Sequence, residues 1–303
     1  MNFVDKLLLE TLCDGPSVKS VESVFLRYSR WKGEYNKHED NEKLDKKNDE
    51  KIVAWVSAAL RLNVINLSLV IPRMIDENAL FHTLNGCATL VELELMRLPG
   101  EFTLPNLKSL FLYSSIFHGA SINTLLGGCP VLNELSFSGC DFHDNLYVKS
   151  PLLKLFVICD CIFLGEVVFD APNIEVLAFQ CANGIPDWVG ADFKSLHSAY
   201  IEIDMDCDYD NLLSLAKIVK ACSSATRLCL SGYEITVLHT VSVHLSAFRN
   251  ITWMAFDNMD NNGFELLACF LNSAPIVQTL TIGGLATYVP KALGNVPNSR
   301  KEV

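Results

Sequence analysis

Nowhere in this sequence do eighteen or more apolar residues follow one another, so no segment reads as a helix able to span a bilayer. The most apolar stretch, Leu152 to Phe169, is broken by Lys154, Asp160 and Glu166. The opening Met1-Asn2-Phe3-Val4-Asp5-Lys6 lacks the basic start and long apolar core of a secretory signal. An intracellular setting, cytoplasm or nucleus, is therefore expected, with the eleven cysteines reduced. Basic residues are also scarce, 24 against 35 acidic. That balance argues against nucleic acid as the main partner, because affinity for phosphate comes largely from Lys and Arg. Charge of either sign makes up only 19% of the chain and apolar residues 50%, the reverse of a disordered composition.

Chemical signatures are missing as well. There is no Gly-x-Ser-x-Gly, phosphate loop or dinucleotide fingerprint, and His239 and His244 lack a HExxH context. No catalytic residue, cofactor or enzymatic activity is expected. Cys159-Asp160-Cys161 has no second Cys or His pair at ligand spacing. Asp204, Asp206, Asp208 and Asp210 imitate a calcium loop, but counting from Asp204 the sixth residue is Tyr209, not Gly, and the twelfth is Leu215, not Glu. The acidic run reads instead as a loop leading into a helix. No metal site is expected.

What the sequence does have is repetition. An apolar-x-x-apolar-x-apolar triplet recurs as Val64/Leu67/Leu69, Leu90/Leu93/Leu95, Leu107/Leu110/Leu112, Leu132/Leu135/Phe137 and Leu153/Phe156/Ile158. It continues as Ile174/Leu177/Phe179, Leu196/Ala199/Ile201, Ala225/Leu228/Leu230, Ile251/Met254/Phe256 and Val277/Leu280/Ile282, with Val21/Val24/Leu26 as a candidate earlier copy. One triplet matches by chance about one time in eight in a half-apolar chain, so the spacing is the evidence. Successive copies start 26, 17, 25, 21, 21, 22, 29, 26 and 26 residues apart. Leucine-rich repeats occupy about 20–29 residues, so the 17-residue gap marks a clipped turn. Pro105, Pro130, Pro151, Pro172 and Pro275 each stand two places before a triplet, where a residue without an N–H suits the approach to a strand. Cys129 and Cys222 stand one place earlier in their copies, as Cys87 does in its own.

Helical periodicity fills the longer gaps at Ile52–Leu60, Glu77–Leu84, Ser121–Leu126, Asn211–Ala221 and Phe264–Leu271. The 21-residue coils have room for little more than a turn. The expected fold is an α/β leucine-rich-repeat solenoid of about ten repeats, a curved parallel sheet with outer helices, over residues 52–290. Residues 1–29 are expected to cap it. Residues 30–51, with seven basic and seven acidic side chains, are expected to be a charged flexible insertion, and residues 291–303 a disordered tail.

Several segments together resemble the plant F-box proteins with leucine-rich repeats. They are Phe3-Val4-Asp5-Lys6-Leu7-Leu8-Leu9, Ser23-Val24-Phe25-Leu26 and the tryptophan-bearing Ile52–Leu60. Leu104-Pro105-Asn106-Leu107-Lys108-Ser109-Leu110, Leu126-Gly127-Gly128-Cys129-Pro130-Val131-Leu132, Ser150-Pro151-Leu152-Leu153 and Asp170-Ala171-Pro172-Asn173-Ile174 carry it further. The resemblance runs from about Phe3 to Gly284. It implies a substrate-recognition region like that of an SCF-type E3 ubiquitin ligase receptor. The F-box that docks on the ligase adaptor is not legible here, because the chain starts where that box would end. A truncated product and a naturally box-less relative are both open, and an adaptor is a partner only if an F-box is supplied upstream. The alternative is a stand-alone interaction or inhibitor protein of the same fold, unconnected to a ligase. Some relatives hold a polyphosphate under the solenoid, but Arg97, Lys154 and Arg227 are too few and too dispersed to imply one.

Alternation along each strand sends the second and third triplet residues inward and their neighbours onto the concave face, where solenoids take protein partners. That face is unusually apolar at Phe111, Tyr113, Leu155, Val157, Val176, Tyr200 and Trp253, the candidate partner-binding residues. The competing reading is that strand preference places β-formers there, or that a loop covers them. Cys140 and Cys161, three residues past the end of a triplet, are expected to pack in turns.

Overall fold

Burial of the triplets organises the chain, and the strands form around them. A computed structural model describes residues 20–27, 39–71, 77–98, 100–118, 121–182, 184–203, 209–232, 238, 248–257 and 263–283. Two compact units result: Met1–Tyr113 with Thr124–Leu132, and Ser114–Asn123 with Asn133–Val303. Both are built as α/β leucine-rich repeats, with parallel strands on one side and helices or short strands on the return path. Among the described residues no helix is long and apolar enough to cross a membrane.

The first unit carries β1 (Ser23–Arg27), β2 (Asn66–Val70), β3 (Glu92–Met96) and β4 (Ser109–Tyr113), paired in that order and all parallel. Register follows the triplets, with Val24 beside Leu67, Leu67 beside Leu93 and Leu93 beside Leu110. The candidate early copy is thus a strand of the array. The 17-residue gap is a real clipped coil, running from β3 to β4 with no helix among the described residues between. Helix α1 (Glu39–Arg61) and helix α2 (Glu77–Leu84) occupy the longer returns. Ile52, Val56 and Ala59 give α1 a buried stripe. At its end the Val64 N–H bonds to Ala59 O and the Asn63 N–H to Leu60 O, with Asn63 left-handed at φ 55°, a Schellman cap closed by buried Val64.

The segment expected as a flexible insertion is helical from Glu39 onward, as the first half of α1. Glu and Lys are strong helix formers, and extending a nucleated helix costs far less than starting one. Residues 1–19 of the expected cap and the expected tail at 291–303 lie outside the described residues.

In the second unit β6 (Glu134–Ser138), β9 (Leu155–Cys159), β12 (Val176–Cys181), β14 (Ser198–Ile203), β15 (Arg227–Ser231), β16 (Trp253–Asp257) and β17 (Thr279–Ile282) pair in that order. The expected helices are present as α3 (Ser121–Gly128), which is divided between the units, α4 (Tyr209–Ala221) and α5 (Gly263–Ser273). The 21-residue coils hold no helix. Short strands replace it: β7 (Asp141–Phe142) and β10 (Ile162–Phe163) join β5 (Ile116–Phe117) of the coil before them in one small parallel sheet. A second consists of β8 (Leu146–Lys149), β11 (Val167–Asp170) and β13 (Trp188–Val189). These coils are therefore three-sided. Aromatic rings fill them: Phe142 stacks on Phe117 and on Phe163 at 5.1 Å each, and Phe137 meets Phe142 edge-on at 5.1 Å.

Turns before the strands explain the prolines. Pro105, Pro130 and Pro275 take the second place of four-residue turns closed by Leu107 N–H to Leu104 O, Leu132 N–H to Cys129 O and Val277 N–H to Ala274 O. Where the turn before a strand carries asparagine it ties coil to coil, because the Nδ2 groups of Asn106, Asn173 and Asn250 donate to the carbonyls of Ala88, Pro151 and Ser224. After the strands the chain turns through a left-handed residue, at Arg97, Ser114, Gly139, Asp160, Gly232 and Gly283. Each of these N–H groups bonds to an adjacent strand, as Gly139 does to Cys159 O at 2.9 Å. At Gly232 a Cβ would lie against the Ile203 carbonyl oxygen, so only glycine fits. Ser114 makes the same turn at the cost of left-handed strain. Gly232→Ala should lower stability by about 3 kcal/mol or more, whereas Ser114→Gly should raise it by about 0.5 kcal/mol. Urea unfolding midpoints of the two variants test the opposite signs.

Candidate functional site

With the inward triplet residues buried at 3% exposure or less from β2 to β16, the other side of each of these strands is available for contacts beyond the core. We call it the open face. On the first unit it carries Phe111 and Tyr113, two residues apart on β4. Phe111 is half-buried, but Tyr113 is only 6% exposed. Beside Phe111 in register lies Glu94, and beside Tyr113 lies Met96.

On the second unit the open face has three rows. One row runs Glu134, Leu155, Val176, Ser198, Arg227, Trp253 and Thr279 in register across the strands. The middle row runs Ser136, Val157, Ala178, Tyr200, Cys229, Ala255 and Thr281. The third includes Cys159, Gln180, Glu202, Ser231 and Asp257. Leu155 and Val176 are thus direct neighbours, whereas Trp253 stands three strands beyond Val176, past Ser198 and Arg227.

Leu155, Val176, Tyr200 and Trp253 are half-buried, which leaves them area to offer. Val157 is not available. It is 0% exposed, walled by Leu155 and Cys159 along its strand and by Ser136 and Ala178 across the sheet. Tyr113 and Val157 are therefore removed from the candidate surface. Alternation correctly assigns their side of the strand, but the bulk of neighbouring side chains sets what water can reach.

A pair that sequence reasoning did not join is Arg227 over Trp253, with the guanidinium carbon 4.4 Å from the ring centroid. Such a contact contributes about 0.5–1 kcal/mol at exposed sites and holds the indole in one orientation. The signal was available, since the 26-residue step from Ala225 to Ile251 puts Arg227 and Trp253 side by side. Lys154 is paired with Glu175 at 2.8 Å, one coil away. The acidic run from Asp204 to Asp208 lies outside the described residues, as do His239 and His244.

Several of the described cysteines take packing roles. Cys140 and Cys161 are buried turn residues whose thiols donate to Ser138 O and Cys159 O. Cys159 donates to Gln180 Oε1 at 3.1 Å. Burial pushes the Cys222 thiol up to about 12 and the Cys129 thiol to about 11, the latter against a bond from the Leu104 backbone. Burial, with Asp257 and Glu202 nearby, takes Cys229 to about 11. Cys129, Cys222 and Cys229 are therefore not activated thiols.

A consequence follows for alkaline stability. Above pH 9.0, the ordinary value, the unfolded chain releases these protons while the folded chain keeps them. Stability is then full below pH 9 and falls as pH rises toward 11 and 12. Each buried thiol should contribute a loss of about 1.4 kcal/mol per pH unit in that window. Urea midpoints at pH 8 and pH 10.5 should show the drop, and Cys222→Ala should make it shallower.

A family model described as the leucine-rich repeats of FBD-associated F-box protein At5g56370 matches residues 52–191. Three Arabidopsis thaliana proteins illustrate the similarity over a wider range. F-box/LRR-repeat protein At1g06630 is 28% identical over 243 residues, covering 76% of this chain and 57% of that protein. Putative F-box protein At3g58860 is 26% identical over 82% of this chain and 56% of its own length. F-box/LRR-repeat protein At3g60040 is 28% identical over 81% of this chain and 58% of its own. The chain spans about half the length of the curated relatives it matches. No solved structure matches it.

Proposed function

We infer that this chain, a plant F-box/LRR-like protein in its repeats, is a non-enzymatic recognition module that holds a protein partner on its open face. One observation carries the reading. Leu155, Val176, Tyr200 and Trp253 keep exposed apolar area on strands whose core side is already filled, with Arg227 steadying the indole. Large aromatic and aliphatic groups, held still before binding, are what a protein hot spot requires. Phe111 supplies the corresponding apolar area on the first unit.

The relatives' names join an F-box to leucine-rich repeats. By that likeness, the role of the chain is the substrate-recognition part of an SCF-type E3 ubiquitin ligase receptor. An F-box supplied upstream would recruit the adaptor, and other subunits would transfer ubiquitin. The setting we propose is intracellular, in cytoplasm or nucleus, where thiols stay reduced.

Capture of partners from plant extract tests the reading, with wild type beside the Tyr200→Ala, Trp253→Ala double variant. The double variant should hold its partner at least about tenfold more weakly while keeping its circular dichroism spectrum. Unchanged capture by a folded double variant would remove the open face from the proposal. Cullin and adaptor recovered with the full gene product would support the ligase role. Their reproducible absence beside another partner would favour the stand-alone one.

A further inference from the structure

Two exposed histidines are brought together by the repeat. His118 follows β5 and His143 follows β7 on adjacent coils of the second unit, and their ring centroids lie 4.6 Å apart at an interplanar angle of 69°. They stand 25 residues apart in sequence, the same step as from Leu107 to Leu132. They belong to no short ligand motif, and only the fold joins them. The ladder sets the pair: Phe117 lies beside Phe142 in register, and the His143 N–H bonds to Phe117 O at 3.1 Å. The buried Phe117 and Phe142 rings stack at 5.1 Å on the core side. Both imidazoles are exposed, so backbone pairing and the phenylalanine stack hold them close, not burial of the imidazoles themselves.

The chemistry of the pair selects its ligand. Imidazole nitrogens suit zinc, copper and nickel, whereas calcium and magnesium take oxygen. At metal–nitrogen distances of about 2.0–2.1 Å, two imidazoles in adjacent positions on one ion place their centroids roughly 4.5–5 Å apart, as these rings are. Asp141, two residues before His143 and so on its side of the chain, and Asp144 directly after it add negative charge nearby. Among the described residues no group of three or more His, Cys, Asp or Glu side chains could enclose an ion. Two nitrogens with water in the remaining positions define an open, exchangeable site, which suits tetragonal Cu(II) or Ni(II) better than a closed tetrahedral zinc cage does.

We propose that His118 and His143 form a two-imidazole site for a late first-row divalent ion, Cu(II) held most tightly and Ni(II) less so. The bound ion bridges the coils of β5 and β7, so it binds the folded chain and stabilises it. This site lies on the small sheet and does not depend on the function proposed for the open face.

Calorimetric titration of the full chain with Ni(II) alone, in a buffer that does not chelate, tests the pair without oxidising the cysteines. One ion per chain should occupy the tightest site. His118→Ala and His143→Ala should each weaken it at least about tenfold, and the double variant should lose no more than either single one, because a chelate is lost with its first ligand. His82→Ala, which removes an exposed histidine elsewhere, should leave it unchanged. Ni(II) should also raise the thermal midpoint of the wild type, reversibly with EDTA, and of neither single variant. In NMR spectra the two rings should broaden together as Ni(II) is added. Losses that add across the two single variants, or an equal loss in His82→Ala, would mean an adventitious ion only, on separate histidines, and overturn the proposal. So would unchanged affinity in both single variants, or broadening of one ring without the other.

Discussion

A single coil of this chain cannot bury its own triplet. From β2 to β16 each inward Leu, Phe or Ile reaches near-zero exposure because the coils before and after it close over it, so the stable object is the stack rather than the coil. Everything else in the backbone serves that condition. Parallel register keeps the triplet columns aligned. Prolines make the turns before the strands, asparagines bond back to the preceding coil, and left-handed residues make the turns after them. A coil that missed any of these would put its triplet out of line with both neighbours. The strain tolerated at Arg97, Ser114 and Asp160 is small beside the burial it permits, since one fully buried Leu or Phe contributes about 1.5–3 kcal/mol.

The same condition explains why the open face can hold function. The hydrophobic contribution to stability comes from the core side, which leaves the composition of the open face largely free of the folding requirement. That face is nevertheless not uniform. In the middle row Val157, Ala178 and Ala255 are fully buried, while Tyr200 in the same row keeps an intermediate exposure. Trp253 gains a fixed orientation from Arg227, at a register distance that the repeat itself sets. Geometry built for stacking thus doubles as a grid on which side chains from distant parts of the sequence are brought into fixed relation.

What could be read from the sequence divides along the same line. Triplets, proline turns and the five helical segments were legible because each depends on a period or on one residue with a special backbone. The two-residue strands β5, β7, β10 and β13 were not, since two residues show no period. The helical first half of α1 was hidden because its charged composition suits both a solvated coil and a helix, and its attachment to the apolar Ile52–Leu60 decides between them. At the candidate site alternation correctly assigned the side for Val157 and Tyr113 but not their exposure. That depends on neighbours along the strand and one repeat away on the adjacent strands. The Arg227–Trp253 contact was within reach by register arithmetic, because the spacing of triplets fixes which residues become lateral neighbours.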